Sequence, residues 1–308
     1  MKWTKLGRIF CAAGQSEWMV SGGRAPVPLC LGDGIYRVYF ASYDSNGRGR
    51  IFSLELDIND PSRISNLITE PIIDLGRVGY YDDNGIIPSD LLEVDGKLYL
   101  YTIGFSLKNK IIFDAATGLA ISHDGGKSFE KLPGPVLDRG VDDPCFAASP
   151  TVIKEGGLWR MWYVSCDRWE PEGKGYKHYY NIKCRQSKDG IYWSPKATVC
   201  IDYANEYEYA LSRPSVIHEN DDRYRMWYSF RAQKNVQTYR IGYAESEDGL
   251  DWLRMDDTVG INVSDNGWDS EMICYPRVFK HNGQLYMLYN GNGYGRSGFG
   301  LAVLEKDE

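Results

Sequence analysis

The protein has 308 residues, 43% of them hydrophobic and 14% aromatic, and a net charge of −7. That supplies core for one large domain or two ordinary ones, while a mildly acidic chain without a basic run is not built to hold nucleic acid or an anionic membrane as its main partner. No run of about 18 apolar residues is present to cross a bilayer, and the opening MKWTKLGRIFCAAG lacks the apolar core of a secretory leader.

The first alternating run, KWTKLGRIF (2–10), reads as a strand with no sequence-local partner. A repeat follows. VPLCLGDGIYRVYFAS (27–42), IIPSDLLEVDGKLYLYTIG (86–104), ASPTVIKEGGLWRMWYVS (148–165), LSRPSVIHENDDRYRMWYSF (211–230) and CYPRVFKHNGQLYMLYNG (274–291) share one plan. Each has a proline, an apolar run, a polar turn and an aromatic alternating run. The anchor prolines are Pro28, Pro88, Pro150, Pro214 and Pro276, spaced by 60, 62, 64 and 62 residues. A third alternating run completes each unit: RIFSLELD, TGLAISHD, YNIKCRQS, RIGYAESE and FGLAVLE. A fourth follows in all but the last. Short β-branched or aromatic runs bounded by Gly, Asp and Asn are strands, and no segment carries a capped 3.6-residue period. The expectation is all-β: a single domain over 1–308, a five-bladed propeller of four-stranded blades. Trp3 falls where Trp193 and Trp252 fall in the fourth strands, so the N-terminal strand is expected to complete the last blade and close the ring.

SHDGGKSF (122–129), SKDGIYW (187–193) and SEDGLDW (246–252) lie between third and fourth strands. Asp-Gly between alternating runs is a hairpin signal; the aspartate caps turn amides and the glycine supplies positive φ. These turns resemble the Asp-box of sialidases and read as scaffold. The opposite face, where chain leads into each innermost strand, is richer in chemistry. MVSGGRAPV brings Arg24, GYYDDNGII brings Asp82 and Asp83, and RGVDDPCFAAS brings Asp142 and Asp143. NEYEYALSR brings Glu208 and Arg213, and GWDSEMICYPR brings Trp268, Asp269, Glu271, Tyr275 and Arg277. Long second-to-third loops add Lys177, His178 and Arg231. Carboxylates converging with Arg, Tyr and Trp suit sugar chemistry. The expected acid–base residues are Asp83 and Glu271, then Asp143 and Glu208. The remaining named residues are expected to bind substrate, with Arg24, Arg213 and Arg277 favouring an anionic group. No resident cofactor or metal is expected, although the paired aspartates 82–83 and 142–143 offer oxygen ligands of the kind Ca²⁺ takes. Seven cysteines without a CxxC suit free thiols and a cytoplasmic location.

Five repeats, the acid-rich mouth and the RMWYS second strands resemble the five-bladed glycosidases, glycoside hydrolase families 32, 43, 117 and 130, and most of all uncharacterised family-43-like glycosidases. The resemblance implies a glycosidic-bond enzyme acting on a small carbohydrate. Families 32 and 43 place Asp before the blade-one proline, Asp before the blade-three proline and Glu two residues before the blade-four proline; here Val27, Ser149 and Ser212 stand there. Three readings stay open: an inverting hydrolase using the upstream carboxylates, a phosphorylase using inorganic phosphate, and a carbohydrate-binding propeller without chemistry.

Overall fold

A computed structural model describes residues 1–219, 223–231 and 238–305. The turn expected at 220–222 lies outside the described residues. The chain opens with β1 (Trp3–Phe10). A first antiparallel sheet follows, with β2 (Ser21–Gly32), β3 (Ile35–Tyr43), β4 (Gly49–Asp57) and β5 (Ile64–Ile73). The next twelve strands hydrogen-bond into one continuous sheet of three four-stranded units, the second, third and fourth sheets, joined by the single parallel bridges Ala116↔Ala147 and Tyr180↔Ala210. The second has β6 (Gly85–Val94), β7 (Lys97–Ser106), β8 (Asp114–Ser122) and β9 (Glu130–Lys131). The third has β10 (Phe146–Glu155), β11 (Leu158–Glu172), β12 (Gly175–Ser187) and β13 (Thr198–Ile201). The fourth has β14 (Ala210–Glu219), β15 (Arg223–Arg231), β16 (Arg240–Ser246) and β17 (Leu253–Arg254). The last has β18 (Cys274–His281), β19 (Gln284–Asn290) and β20 (Phe299–Leu304), and β1 pairs antiparallel with β20 as its fourth strand. The first strands of successive sheets lie side by side, and β18 lies against β2.

Aromatic and aliphatic clusters fill the spaces between sheets. Strand β1 belongs to two of them. Trp3 packs edge-on against Trp227 at 6.0 Å, and Phe10 packs against Phe40 at 4.9 Å and Phe299 at 6.1 Å. The DG turns serve the same packing. Asp124, Asp189 and Asp248 each accept from two amides of their own turn at 2.8–3.1 Å. The Ser128 hydroxyl together with the amides for Asp124, and the amides first for Asp189 and Asp248, hold all three carboxyls below the usual range. The neighbouring sheet then caps each turn: Tyr39, Tyr101 and Trp162 donate to the glycine carbonyls of Gly126, Gly190 and Gly249 at 2.7–2.8 Å. A side chain from one second strand therefore ties down the next sheet.

A second repeated feature sits at the axis. Ala25, Ser149, Arg213 and Tyr275 have φ of 50–59°, and each directly precedes a proline, where β conformation is normal. At each, two residues bulge out opposite one on the second strand: the register passes from Arg24↔Ala41 to Val27↔Tyr39, from Ala148↔Val164 to Thr151↔Trp162, from Ser212↔Ser229 to Ser215↔Trp227, and from Cys274↔Asn290 to Arg277↔Leu288. Bulges re-aim side chains, and left-handed backbone at a non-glycine residue is strain of the kind found at ligand sites. In the first sheet the proline within this bulge is Pro26, two residues before the repeat anchor Pro28. In the second sheet Pro88 itself takes the position that Ser149 holds in the third, because Asp90↔Tyr101 corresponds to Thr151↔Trp162.

Candidate functional site

The axial residues open onto a recess of about 500 Å³, open solvent at its mouth included. It is lined by all five innermost strands. Ile87, Ile103, Phe105, Phe113, Phe146 and Tyr180 make one wall; Arg24, Ser149, Ser212, Arg213 and Tyr275 make the polar part. Among the described residues no carboxylate lines it. Of the three positions that the glycosidase resemblance marks, Ser149 and Ser212 face the recess; the third, Val27, is fully buried, and so is Ala25 before Pro26.

Arg213 reaches across the axis. It is 3% exposed and donates to the carbonyls of Pro88 at 3.0 Å, Ala25 at 3.2 Å and Ser89 at 3.3 Å. It has no carboxylate partner among the described residues. Burial, and then the like charges of Arg277 and Arg24, pulls its pKa down to about 9. A buried cation needs compensation; here every hydrogen bond goes to a backbone carbonyl, and the carboxylate whose charge reaches it, Asp90, is already paired with Arg277. Arg24 donates to Tyr43 at 2.7 Å and to Tyr275 at 2.8 Å, and its Nε is buried without a partner. Arg277 is committed elsewhere, to Asp90 and Thr151. Cys274, close behind, is buried, and burial pushes its thiol up to about 12, which makes it a neutral filler.

The expected acids are bonded within their own sheets or lie apart from the recess. Asp143 is fully buried and accepts from Arg185 at 2.6 Å and from the Tyr163 hydroxyl at 3.0 Å. Glu208 accepts both Arg254 guanidinium nitrogens at 2.7 Å and the Ala204 amide at 2.6 Å. Asp82 accepts from Lys131 at 2.6 Å. Asp269 accepts from Lys5 at 2.7 Å and from the Tyr289 hydroxyl at 3.0 Å. In four sheets, then, the lead-in acid is latched to a base on the third or fourth strand of its own sheet. Asp142 accepts from the Ala197 amide at 2.8 Å, so the pair 142–143 turns to two separate partners and does not converge. Among the described residues no three of His, Cys, Asp and Glu converge as metal ligands. Asp83 accepts from the Gly79 amide at 2.8 Å and lies in a separate depression with Lys108, Asp114 and Asp138. Glu271 is exposed; its amide donates to Asn292 at 2.8 Å and its carbonyl accepts from Arg240 at 3.0 Å. Trp268 packs at a tilt against Tyr289, with ring centroids 5.2 Å apart, inside the last sheet. The structure therefore does not bring Asp83, Glu271, Asp143 and Glu208 to one space. Each latched acid follows from the need to neutralise a base buried between strands.

Beside the recess stands an aromatic wall bearing cations. Arg231 donates to Tyr294 at 2.7 Å and Tyr209 at 3.2 Å, and lies 4.2 Å from the Tyr239 ring centroid. Lys177 lies 3.9 Å from the Tyr209 ring. Tyr180 and Tyr239 share a hydroxyl hydrogen bond. His178 stacks on Tyr180 at 4.9 Å and meets Trp169 edge-on, with Nδ1 buried and unpartnered. Sequence reading placed Arg231, Lys177 and His178 on this face but did not single out the tyrosines that frame them, whose signal lay in the runs KHYY, NEYEYALSR and NGNGYGR.

Burial, with Arg231 and Lys177 beside it, pulls the His178 imidazole down to about 4, whereas an unfolded histidine takes its proton near pH 6.5. The unfolded chain thus binds more protons between those values. Stability is fully present above about pH 6.5 and is lost as the pH falls toward 4, by at most about 3 kcal/mol. In urea denaturation at about pH 7.5 and about pH 5, His178→Phe should lose less stability on acidification than the unaltered protein. An equal loss would mean that His178 is not held neutral.

No family model matches the chain. Over 306 residues it is 39% identical to the uncharacterized protein Rv1502 of Mycobacterium tuberculosis strain ATCC 25618 / H37Rv and to the uncharacterized protein MT1551 of strain CDC 1551 / Oshkosh, across 99% of this chain and 100% of each of those. Among solved structures, a glycoside hydrolase superposes with a TM-score of 0.70 at 16% identity, covering 99% of this chain and 93% of that one. A thermostable family-43 glycoside hydrolase gives 0.69 at 16% identity, with 96% and 93% covered. The catalytic domain of the Coprinopsis cinerea GH62 α-L-arabinofuranosidase gives 0.69 at 11% identity, with 98% and 96% covered. The chain belongs to the family of Rv1502 and MT1551, and its fold is that of the family-43 and family-62 glycoside hydrolases.

Proposed function

We propose that the five sheets are the blades of a closed propeller and that the axial recess binds a carbohydrate through an anionic group, such as a phosphate or a uronate. One observation carries this reading: Arg213 is buried at the axis, facing the recess, with no carboxylate bonded to it among the described residues and with nearby Asp90 already paired with Arg277. A ligand anion supplies the missing counter-charge. Arg24 adds a second guanidinium with an unpartnered Nε, and Tyr180, Phe113 and Phe146 offer ring surface for a sugar. With no carboxylate lining the recess among the described residues, neither two-carboxylate hydrolysis nor phosphorolysis has its proton donor there, so the reading is binding without turnover at the axis.

Calorimetric titration with glucose 1-phosphate, glucuronate and glucose tests it. The two anions should bind and the neutral sugar should not; Arg24→Gln should weaken anion binding about tenfold, the scale of one charge-assisted hydrogen bond. Equal affinity for all three sugars would sink the proposal.

A glycosidase is the second reading, favoured by the exposed Glu271 on the lead-in to β18, whose carboxylate has no partner among the described residues. Release of aryl alcohol from aryl glycosides, abolished in Glu271→Gln, is the outcome this second reading requires.

A further inference from the structure

The cations at the recess do not stop at Arg213 and Arg24. Arg213 and Arg24 share the Tyr275 ring, with guanidinium carbons 5.9 and 5.2 Å from its centroid. Arg24 and Arg231 share the Tyr294 ring, at 5.9 and 5.0 Å. Arg231 and Lys177 share the Tyr209 ring, at 5.6 and 3.9 Å. Four positive groups thus run in file from the axis to the rim of the third and fourth sheets, each adjacent pair separated by one tyrosine.

None of the four pairs with a carboxylate among the described residues. That is unusual in this chain, where acids outnumber bases by 7. Its other well-buried arginines are paired: Arg50 with Asp44 and Asp74, Arg185 with Asp143, Arg254 with Glu208 and Asp256, and Arg277 with Asp90. The Nε groups of both Arg24 and Arg231 are buried without a partner. Neutral hydroxyls occupy some of the other nitrogens; they solvate the guanidinium groups but do not neutralise them. Like charges held in file repel one another, and a single monoanion at the axis leaves the Arg231 end uncompensated.

We propose that the ligand carries two phosphates in series: it is a diphosphate ester, with one phosphate held between Arg213 and Arg24 and the next between Arg24 and Arg231. This rests on the anionic reading of the recess and specifies its substrate class. The organic group on the far side is either a nucleoside or a prenyl chain. Their shared chemistry, the diphosphate, is what the array reads, and the sugar takes the aromatic wall.

The test is calorimetric titration with matched mono- and diphosphates: phosphate and pyrophosphate, glucose 1-phosphate and UDP-glucose, geranyl phosphate and geranyl diphosphate. The expected result is a diphosphate affinity at least tenfold above its monophosphate partner. Arg231→Gln should bring that ratio toward one. Lys177→Gln, at the solvent end of the file, should reduce it by a smaller factor and guards against misfolding of the first variant. Preference for UDP-glucose over geranyl diphosphate assigns the nucleoside, and the reverse assigns the prenyl chain. Equal affinity for mono- and diphosphates, or a preference untouched by both variants, overturns the diphosphate assignment. If monophosphates bind and depend on Arg24 while diphosphates gain nothing, this inference falls and the anionic reading stands. If no anion binds, both fall.

Discussion

Asp143→Ala should lower the thermal midpoint by on the order of 10 °C, because removing one partner of a buried ion pair costs about 3–5 kcal/mol. The carboxylate is fully buried, and its loss strands the Arg185 guanidinium, which has only the Tyr163 hydroxyl and two backbone carbonyls left. Lys183, 3.9 Å away, loses a counter-charge as well. Asp143→Ala/Arg185→Met should recover much of that loss, since an apolar pair of similar bulk often replaces a buried ion pair at little cost. A catalytic aspartate would behave in the opposite way: its alanine variant would keep its midpoint and lose turnover. Differential scanning calorimetry of the single and double variants separates the two. A single variant that melts with the unaltered protein would contradict the latch.

Deleting residues 1–10 should abolish cooperative folding. Strand β1 covers the β20 edge, and its two ends anchor in different places, Trp3 against Trp227 of the fourth sheet and Phe10 against Phe40 of the first. Removing a buried Trp or Phe costs about 3–5 kcal/mol, and losing both approaches the whole stability of an ordinary domain, about 5–15 kcal/mol. The bared strand edge also invites aggregation. Trp3→Ala alone leaves the strand in place and should cost about 3–5 kcal/mol in urea denaturation. A truncated chain that melts sharply at the unaltered midpoint would contradict the closing role of β1.

The strand repeat was legible because every unit writes an apolar run, a polar turn and an aromatic second strand in the same order, with a DG turn after the third strand in three of them, and such patterns need no partner to be recognised. The role of Trp3 followed from its alignment with Trp193 and Trp252. Which proline of the first sheet sits in the bulge was not legible. In RAPVPLC two prolines flank Val27, and only the bulge between Arg24↔Ala41 and Val27↔Tyr39 selects Pro26. The acids illustrate a more general limit. Sequence shows carboxylates leading into four inner strands, but the bases that claim them come from far along the chain: Lys5 is 264 residues from Asp269, and Arg254 is 46 from Glu208. A residue type in a promising loop says nothing about a partner brought in by the fold. Arg213 was the exception, because the resemblance to the five-bladed glycosidases points the residue directly before the blade-four proline inward. Even there the sequence did not reveal that its partners are three carbonyls.

The apolar wall of the recess escaped notice for a related reason. Ile87, Ile103, Phe146 and Tyr180 sit within strands and read as ordinary core. Only the convergence of innermost strands from several sheets turns core residues into the wall of a site. The strain stored at Ser149, Arg213 and Tyr275 likewise has no sequence signature beyond the proline that follows each.

The most direct measurement of the central claim is a crystal structure of the protein grown with glucose 1-phosphate. The phosphate should lie in the axial recess within hydrogen-bond distance of Arg24 or Arg213, with Asp143–Arg185 and Glu208–Arg254 still paired. A phosphate bound away from the axis, or a sugar seated against an unlatched Asp143 or Glu208, would contradict it.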